Sequence, residues 1–389
     1  MLERAQQLKA TLITLRRGIH TWPELGFDLT ATADRVAHTL GELGIPVQTG
    51  VGKSGVVAYL GESGSPVVAL RADMDALPLQ ETAAVPFASK VPGRMHACGH
   101  DAHTAMLLGT AMLLKDVEIP GEIRLLFQPC EETADSDGFS GAHRMIADGA
   151  LLGVDRVLAL HVNPALDTGT LAVNSGPINA AVDTFRAWIT GRGGHGAYPD
   201  QTIDPIWLAS QVLNALYAIP SRRVSPVQPK VLTIGIVRAG SAANIIPNEV
   251  YIEGTLRSTA KAVRAQLIAE IETAFSLVRT WGGDYRLEIE TGSPSTINDP
   301  AIVQIVRQAA VDLLGEQSLQ ETALTMGAED FSLMTERCPG AMFSLGVRKP
   351  GGHTHVLHSP YFELDEDALP LGSALLAESA LRILRELKK

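Results

Sequence analysis

A chain of 389 residues is too long for one ordinary hydrophobic core, and a prior of about 150 residues per domain predicts two domains. Hydrophobic residues make up 46% and charged residues 19%, a globular balance, while a net charge of -11 opposes nucleic-acid or anionic-membrane partners, which require clustered Lys and Arg. Three cysteines, Cys98, Cys130 and Cys338, cannot form a disulfide framework, so a reducing cytoplasm is the expected compartment. The N-terminal stretch carries charges throughout and lacks an uninterrupted apolar signal region, and no run of about 18 apolar residues predicts a membrane-spanning helix.

In chain order, residues 1–18 and 30–43 have helical spacing, the second with a Thr at its expected N-cap and a stop at Gly44. Apolar, β-branched runs at 54–60, 67–70, 123–128 and 156–162 predict strands, with a helix over 102–114 between them, and this alternation predicts an α/β sheet. From Thr184 the order becomes strand 184–190, helix 203–216, strands 231–238 and 249–257, helix 261–280 and strand 285–290. That β-α-β-β-α-β succession is the ferredoxin-like arrangement, a small domain in one contiguous stretch. Helix 301–314, strand 342–346 and a long helix over 366–387 then resume the α/β pattern. The economical reading is an insertion, with one domain built from 1–180 and 293–389 and the other from 181–292.

Open α/β sheets place their sites beyond the carboxyl ends of the strands. Arg71, Asp73 and Asp75 follow one predicted strand, Glu131 and Glu132 follow another, and His161 closes a third. Between them, the segment 95–104, MHACGHDAHT, holds Cys98, His100, Asp101 and His103. Thiolate, imidazole and carboxylate are the side chains that bind divalent ions, and a carboxylate left free beside them can act as a base. Two adjacent carboxylates leaving a core strand would repel unless a cation neutralised them. The pattern predicts a metal-dependent hydrolase, without deciding which glutamate is ligand and which is base.

RADMDALP at 71–78, CGHDAH at 98–103, Glu131 with Glu132, ALHV at 159–162, GGHGAYPD at 193–200 and GAEDF at 327–331 occur in that order. Over nearly its whole length the chain resembles the dinuclear-metal amidohydrolases that include hippurate hydrolase, aminoacylase-like enzymes and plant auxin-conjugate hydrolases, within the zinc-dependent exopeptidase superfamily. The resemblance implies a mixed-sheet catalytic α/β domain with an inserted ferredoxin-like domain serving dimerisation and as a lid. It implies two divalent ions held by Cys98, His100, Glu132, His161 and His358, with Glu131 as general base and acid. His358, rather than His353 or His355, is selected by the family pattern of a His shortly before an aromatic residue and an acidic helix start. Zinc or manganese is expected, since thiolate favours zinc and the other ligands also accept manganese, cobalt or nickel.

The resemblance further implies that His195 stabilises an oxyanion in the site of a second subunit, which predicts a homodimer, and that Asn244 and Arg257 hold the substrate carboxylate, for which Arg is suited. Glu329 is expected on the site wall. Asp75 and Asp101 are expected to orient neighbouring ligands, a role that tunes their basicity. The implied reaction is hydrolysis of an N-acyl-L-amino acid to a carboxylic acid and a free amino acid. A metallo-dipeptidase or carboxypeptidase is the alternative, and a noncatalytic metal- or peptide-binding protein is disfavoured because Glu131 and all five matched ligand positions are present.

Overall fold

Every residue of the strand Val67–Asp73 is buried, as the apolar run Val67–Leu70 and the strand's central position require, and its two charged residues, Arg71 and Asp73, are paired with each other. The computed structural model describes residues 1–64 and 66–389, and the chain divides into two units: Met1–Gly176 with Ile297–Ala323 and Asp330–Lys389, and Pro177–Thr296 with Leu324–Glu329.

The larger unit holds an eight-stranded mixed sheet in the order Val47–Val51, Gly55–Gly61, Glu122–Gln128, Val67–Asp73, Arg156–Asp167, Gly340–Arg348, Leu171–Ala172, Leu319–Gln320. The four from Glu122–Gln128 to Gly340–Arg348 are mutually parallel, and the two-strand flank beginning at Val47 is antiparallel. The alternation of the pleat feeds two cores. Val68, Leu70 and Ala72 enter the larger one, and Ala69 enters the other with Ala142, Met145, Phe331 and Met334. Helices therefore cover both faces.

The helix His100–Leu114 is buried on nearly all sides, between the sheet and the helices Lys9–His20 and Ala368–Leu387. Glycines make this packing possible. A Cβ on Gly109 would lie 2.4 Å from Ser373 Oγ and 2.7 Å from Leu12 Cδ2, and one on Gly372 would lie 2.1 Å from Met106 Sδ.

Three local expectations are corrected. The first predicted helix is broken at Leu8 into Leu2–Gln7 and Lys9–His20. The helix Thr30–Glu42 has Leu29 at its N-cap with no side-chain cap, because the Glu24 carboxylate instead accepts the amides of Ala31 and Thr32. The strand expected to end at Val162 runs on to Asp167. Its pairing with Val67–Asp73 stops at Ala159 opposite Arg71, so His161 lies two residues beyond the last pair, level with the carboxyl end of its neighbour.

The smaller unit is a four-stranded antiparallel sheet in the order Lys230–Ala239, Glu249–Ser258, Ala181–Thr190, Asp284–Thr291. Each helix-linked pair is parallel with one strand between, the ferredoxin-like order expected from the element succession. Alternate residues of Ala181–Thr190 and Glu249–Ser258 are buried. Phe185, Ala187, Val250 and Ile252 there meet Leu208, Val212, Leu267 and Phe275 of the helices Pro205–Arg222 and Lys261–Ser276. Burial of each large side chain contributes about 1.5–3 kcal/mol. Pro205 stands at the first helical turn, and Asp204 caps it by accepting from the Ile206 and Trp207 amides. The segment Leu324–Glu329 joins this unit through hydrogen bonds from Thr325 N to Ile178 O and from Ala180 N to Gly327 O. Among the described residues, no helix is long and apolar enough to cross a membrane.

Candidate metal centre

Gly99 is the N-cap of the helix His100–Leu114, with φ +87° and a Cβ position 2.5 Å from Val162 Cγ2. Only glycine fits this left-handed, crowded corner, and it sets Cys98 on one side of the turn and His100 at the first helical position. The helix predicted over 102–114 thus begins two residues earlier, at His100. Its Nδ1 lies 2.9 Å from the Asp75 carbonyl. As a carbonyl only accepts, Nδ1 carries the proton and Nε2 presents its lone pair. His161 repeats the device: Nδ1 donates to Val162 O at 2.8 Å, and Nε2 faces Cys98 Sγ at 3.5 Å. His358 Nε2 lies 3.4 Å from the same sulfur and 3.3 Å from Glu132 Oε1.

Donor atoms of Cys98, His100 and His161 fall within 4.8 Å of one another, as do those of Cys98, Glu132 and His358, and those of His100, Glu131 and Glu132. His100 Nε2 and Glu132 Oε1 are buried, 3.8 Å apart, and have no hydrogen-bond partner. Two such atoms side by side are costly in a folded core. A cation between the donors removes that cost, and this donor chemistry fits a borderline divalent ion. The side chain of His358 is 53% exposed, leaving one side of the group open.

The field in the site is negative. Burial alone would lower the pKa of His100, but Asp73 and Cys98 outweigh it and hold the value well above the ordinary range. Burial raises Glu132, yet the adjacent His358 imidazole and the charge of His100 bring it below the usual value. Burial pushes the Cys98 thiol up. A bound metal would displace these protons, since it requires thiolate and neutral imidazole.

Asp75 accepts the amides of Glu131 and Glu132 on its two oxygens, at 3.0 and 3.2 Å, and so orients both glutamates through their backbone. Left-handed backbone flanks the group at Cys130 (φ +48°) and His358 (φ +60°). Such conformations cost about 1–3 kcal/mol each and concentrate at functional sites.

His103, one turn after His100, is excluded as a donor. Its Nδ1 bonds Asp73 Oδ1 at 2.6 Å, and its Nε2 accepts the Val162 amide at 2.9 Å. Burial lowers its pKa to about 4, so both nitrogens are used by the neutral ring. Asp73 is likewise occupied, by His103 and by Arg71 Nη1 at 2.6 Å.

Asp101 corrects an expectation. It makes no hydrogen bond to a candidate ligand. Instead its Oδ2 accepts from Arg16 Nε at 2.7 Å and His20 Nδ1 at 2.8 Å, while His20 Nε2 meets Glu81 Oε1 at 3.1 Å. Residues 100 and 101 point to different sides because successive helical side chains are about 100° apart.

In the smaller unit, the turn carrying His195 pairs as Gly194–His195 with Ile245–Ile246, and Gly196 N donates to Asn244 O at 2.8 Å. His195 and Asn244 are thus brought together, and both are exposed. The Ala197 amide donates to His195 Nδ1 at 3.0 Å, which leaves Nε2 as the protonated, outward nitrogen. Arg257 stands near the far end of Glu249–Ser258, where its Nη1 donates to Met326 O at 3.1 Å. The ten-residue strand spans roughly 30 Å, so within one chain Arg257 and Asn244 lie toward opposite ends of the sheet. Glu329 is buried and ends the Leu324–Glu329 segment. His353 is exposed and His355 half-buried in the loop before His358.

Sequence reasoning missed Asp330, although it lies in the GAEDF segment. This buried carboxylate accepts from Arg71, Gln128, Ser140 and the Ala142 amide. A core acid beside a site residue was the available signal, since buried charge requires partners.

Residues 69–382 match peptidase family M20/M25/M40. The chain belongs to that family and is a hydrolase. It is 42% identical over 383 residues to thermostable carboxypeptidase 2 of Saccharolobus solfataricus, spanning 96% of each chain. It is 41% identical over 387 residues to the N-acetyl-L-cysteine deacetylase of Bacillus subtilis, spanning 97% of this chain and 89% of the relative. A crystal structure of a Bacillus subtilis dinuclear metal binding peptidase of the M20 family superposes with a TM-score of 0.86 at 35% identity, covering 98% of this chain and 99% of that one.

Proposed function

We propose that the protein hydrolyses the amide bond of N-acyl-L-amino acids, with Cys98, His100, Glu132, His161 and His358 holding two divalent ions and Glu131 acting as base and then acid. The observation that carries this reading is the convergence of those donors on two buried, unpartnered atoms, His100 Nε2 and Glu132 Oε1, with Glu131 beside them. When bound, the ions supply Lewis acidity that polarises the scissile carbonyl and acidifies the attacking water. Glu131 takes a proton from that water and returns it to the departing amine nitrogen. Asp75 keeps the two glutamates in register by gripping consecutive amides.

His195 donates from Nε2 to the developing oxyanion. We assign His195 to the site of a partner subunit in a homodimer, and Asn244 and Arg257 to the substrate carboxylate, for which a guanidinium is suited. Glu329 forms part of the wall.

The family relatives support both an N-acyl amino acid and a peptide substrate. The identity to a deacetylase of an acetylated amino acid favours the first, and that to a carboxypeptidase keeps peptide cleavage as a second reading. Release of free amino acid from N-acetyl, N-benzoyl and dipeptide substrates, with manganese or zinc and after chelation, tests both. Metal-dependent release from acyl amino acids is expected. Release from dipeptides alone would move the enzyme to the peptidase side, and no release from any substrate would sink the catalytic reading.

A further inference from the structure

Glu131 and Glu132 do not sit on a strand or a helix. They ride on a strap that leaves the strand Glu122–Gln128 and returns at the helix Gly141–Ala147. The strap's two ends are drawn tightly together. Gly141 N donates to Cys130 O at 2.8 Å, and a Cβ on Gly141 would fall 1.6 Å from Pro129 O. Beneath this closure lies Asp330, whose side chain is nearly inaccessible. Its Oδ1 accepts from Arg71 Nη2 at 2.8 Å and Gln128 Nε2 at 2.9 Å. Its Oδ2 accepts from Gln128 Nε2 at 2.8 Å, Ser140 Oγ at 2.6 Å and the Ala142 amide at 3.1 Å. Gln128 is the last residue before the strap, and Ser140 and Ala142 flank its return, so a single carboxylate holds both ends.

The same carboxylate is wired to the histidine side of the centre. Arg71 carries Asp330 on one nitrogen and Asp73 on another, and Asp73 holds His103, which in turn fixes the Val162 amide beside His161. The chain of buried bonds thus runs from the glutamate strap to the strand bearing His161. A satisfied buried network of this kind specifies one arrangement, and outer groups that orient ligands affect activity strongly.

We infer that Asp330 is a positioning residue for the hydrolytic reaction, setting where the strap presents Glu131 and Glu132; this rests on the metal-centre reading above. Asp330→Asn is nearly isosteric and isolates the electrostatics. An amide nitrogen at either oxygen position would face at least two donors, so the strap's base must shift.

The test compares wild type, Asp330→Asn and Ser140→Ala, the latter removing one bond at the strap's return. Two readouts are taken: kcat and KM for an N-acyl amino acid with manganese, and hydrogen–deuterium exchange over residues 129–140 in metal-free protein. The expected result is a fall in kcat of about 10- to 100-fold in Asp330→Asn with KM changed less than about threefold, a smaller fall in Ser140→Ala, and faster exchange confined to the strap in both. Unchanged kcat and unchanged strap exchange in Asp330→Asn would overturn the proposal. So would faster exchange throughout the larger unit without a strap effect in Ser140→Ala, which would mark Asp330 as a general fold residue. Should wild type itself turn over no substrate, the functional reading has failed, and the metal-free exchange still decides the anchor.

Discussion

The candidate centre in the larger unit and the His195 turn in the smaller one carry functional side chains by opposite means. At the centre, His100, His161 and the two glutamates are each fixed by a hydrogen bond that their ring or amide N–H donates to a buried acceptor: the Asp75 carbonyl, the Val162 carbonyl and the Asp75 carboxylate. His195 and Asn244 are exposed and held by backbone pairing, with the Ala197 amide and the Tyr198 ring also against His195. Chemistry that needs several donors within a few ångströms demands a preorganised, buried frame. A single donor of the kind proposed for His195 needs a defined tautomer and an accessible tip.

The sharpest way to break this contrast is at the base. Glu131→Gln should lower kcat by about 10²–10⁴-fold while metal content and thermal midpoint stay at wild-type values, measured by steady-state kinetics, metal analysis and calorimetry. Retained activity in that variant would remove Glu131 from the mechanism. Next, His195→Ala should lower kcat by about 10²–10³-fold. Mixing it with Glu131→Gln after subunit exchange should restore activity, because one mixed site then contains an intact Glu131 and an intact partner His195. Failure of the mixture to regain activity would place His195 outside the partner's site.

A smaller effect separates the two histidines of the site helix. Asp75→Asn should weaken metal binding or activity by about 10- to 100-fold by loosening the glutamate amides. His103→Gln, in which the amide side chain keeps a donor to Asp73, should retain the full metal stoichiometry by titration, whereas His100→Gln should not.

The smallest effect concerns the second buried ionic group. Burial would lower His20, but Asp101 and then Glu81 raise its pKa above the ordinary value. A raised histidine stabilises the fold fully below about pH 6.5 and loses that contribution as pH rises through the raised value. Burial raises Glu81, but its bonds to His20 and the Ser89 amide bring it below the usual range, so its contribution is present above about pH 4.3 and is lost as acid protonates it. In chelated protein, the thermal midpoint should therefore decline on the alkaline side of about pH 6.5, and the difference between wild type and His20→Gln should shrink there. A difference that is constant across that range would show that His20 is neutral in the fold.

Much of this molecule was legible along the chain. The strand and helix alternation, the βαββαβ insertion and the ordered motifs are local patterns, because a buried strand must be apolar and an inserted domain must close on itself. Donor atoms of Cys98, His100, Glu131, Glu132, His161 and His358, named from motifs and from the family resemblance, fall in overlapping groups in the fold. What was illegible depends on direction in space. His100 and His103 are equal in type and one helical turn apart, yet one presents a lone pair to the centre and the other spends both nitrogens on Asp73 and Val162. Asp101 adjoins His100 in sequence but faces the Arg16 and His20 side. Asn244 and Arg257, paired by expectation, are separated by the length of a strand.

The amino-acid sequence by itself determined the class of fold, through periodicity and element order, and pointed to the family through the resemblance carried by its ordered motifs, which also supplied the candidate ligands. The tertiary structure decided which lone pairs meet, which acid is an anchor and which histidine is spent. Asp330 lies 202 residues from Gln128 and 190 from Ser140, and only the folded chain brings such distant groups within hydrogen-bonding distance. The physical reason is that hydrogen bonds and metal sites are set by orientation over a few ångströms, whereas a linear pattern records only which side chains are available.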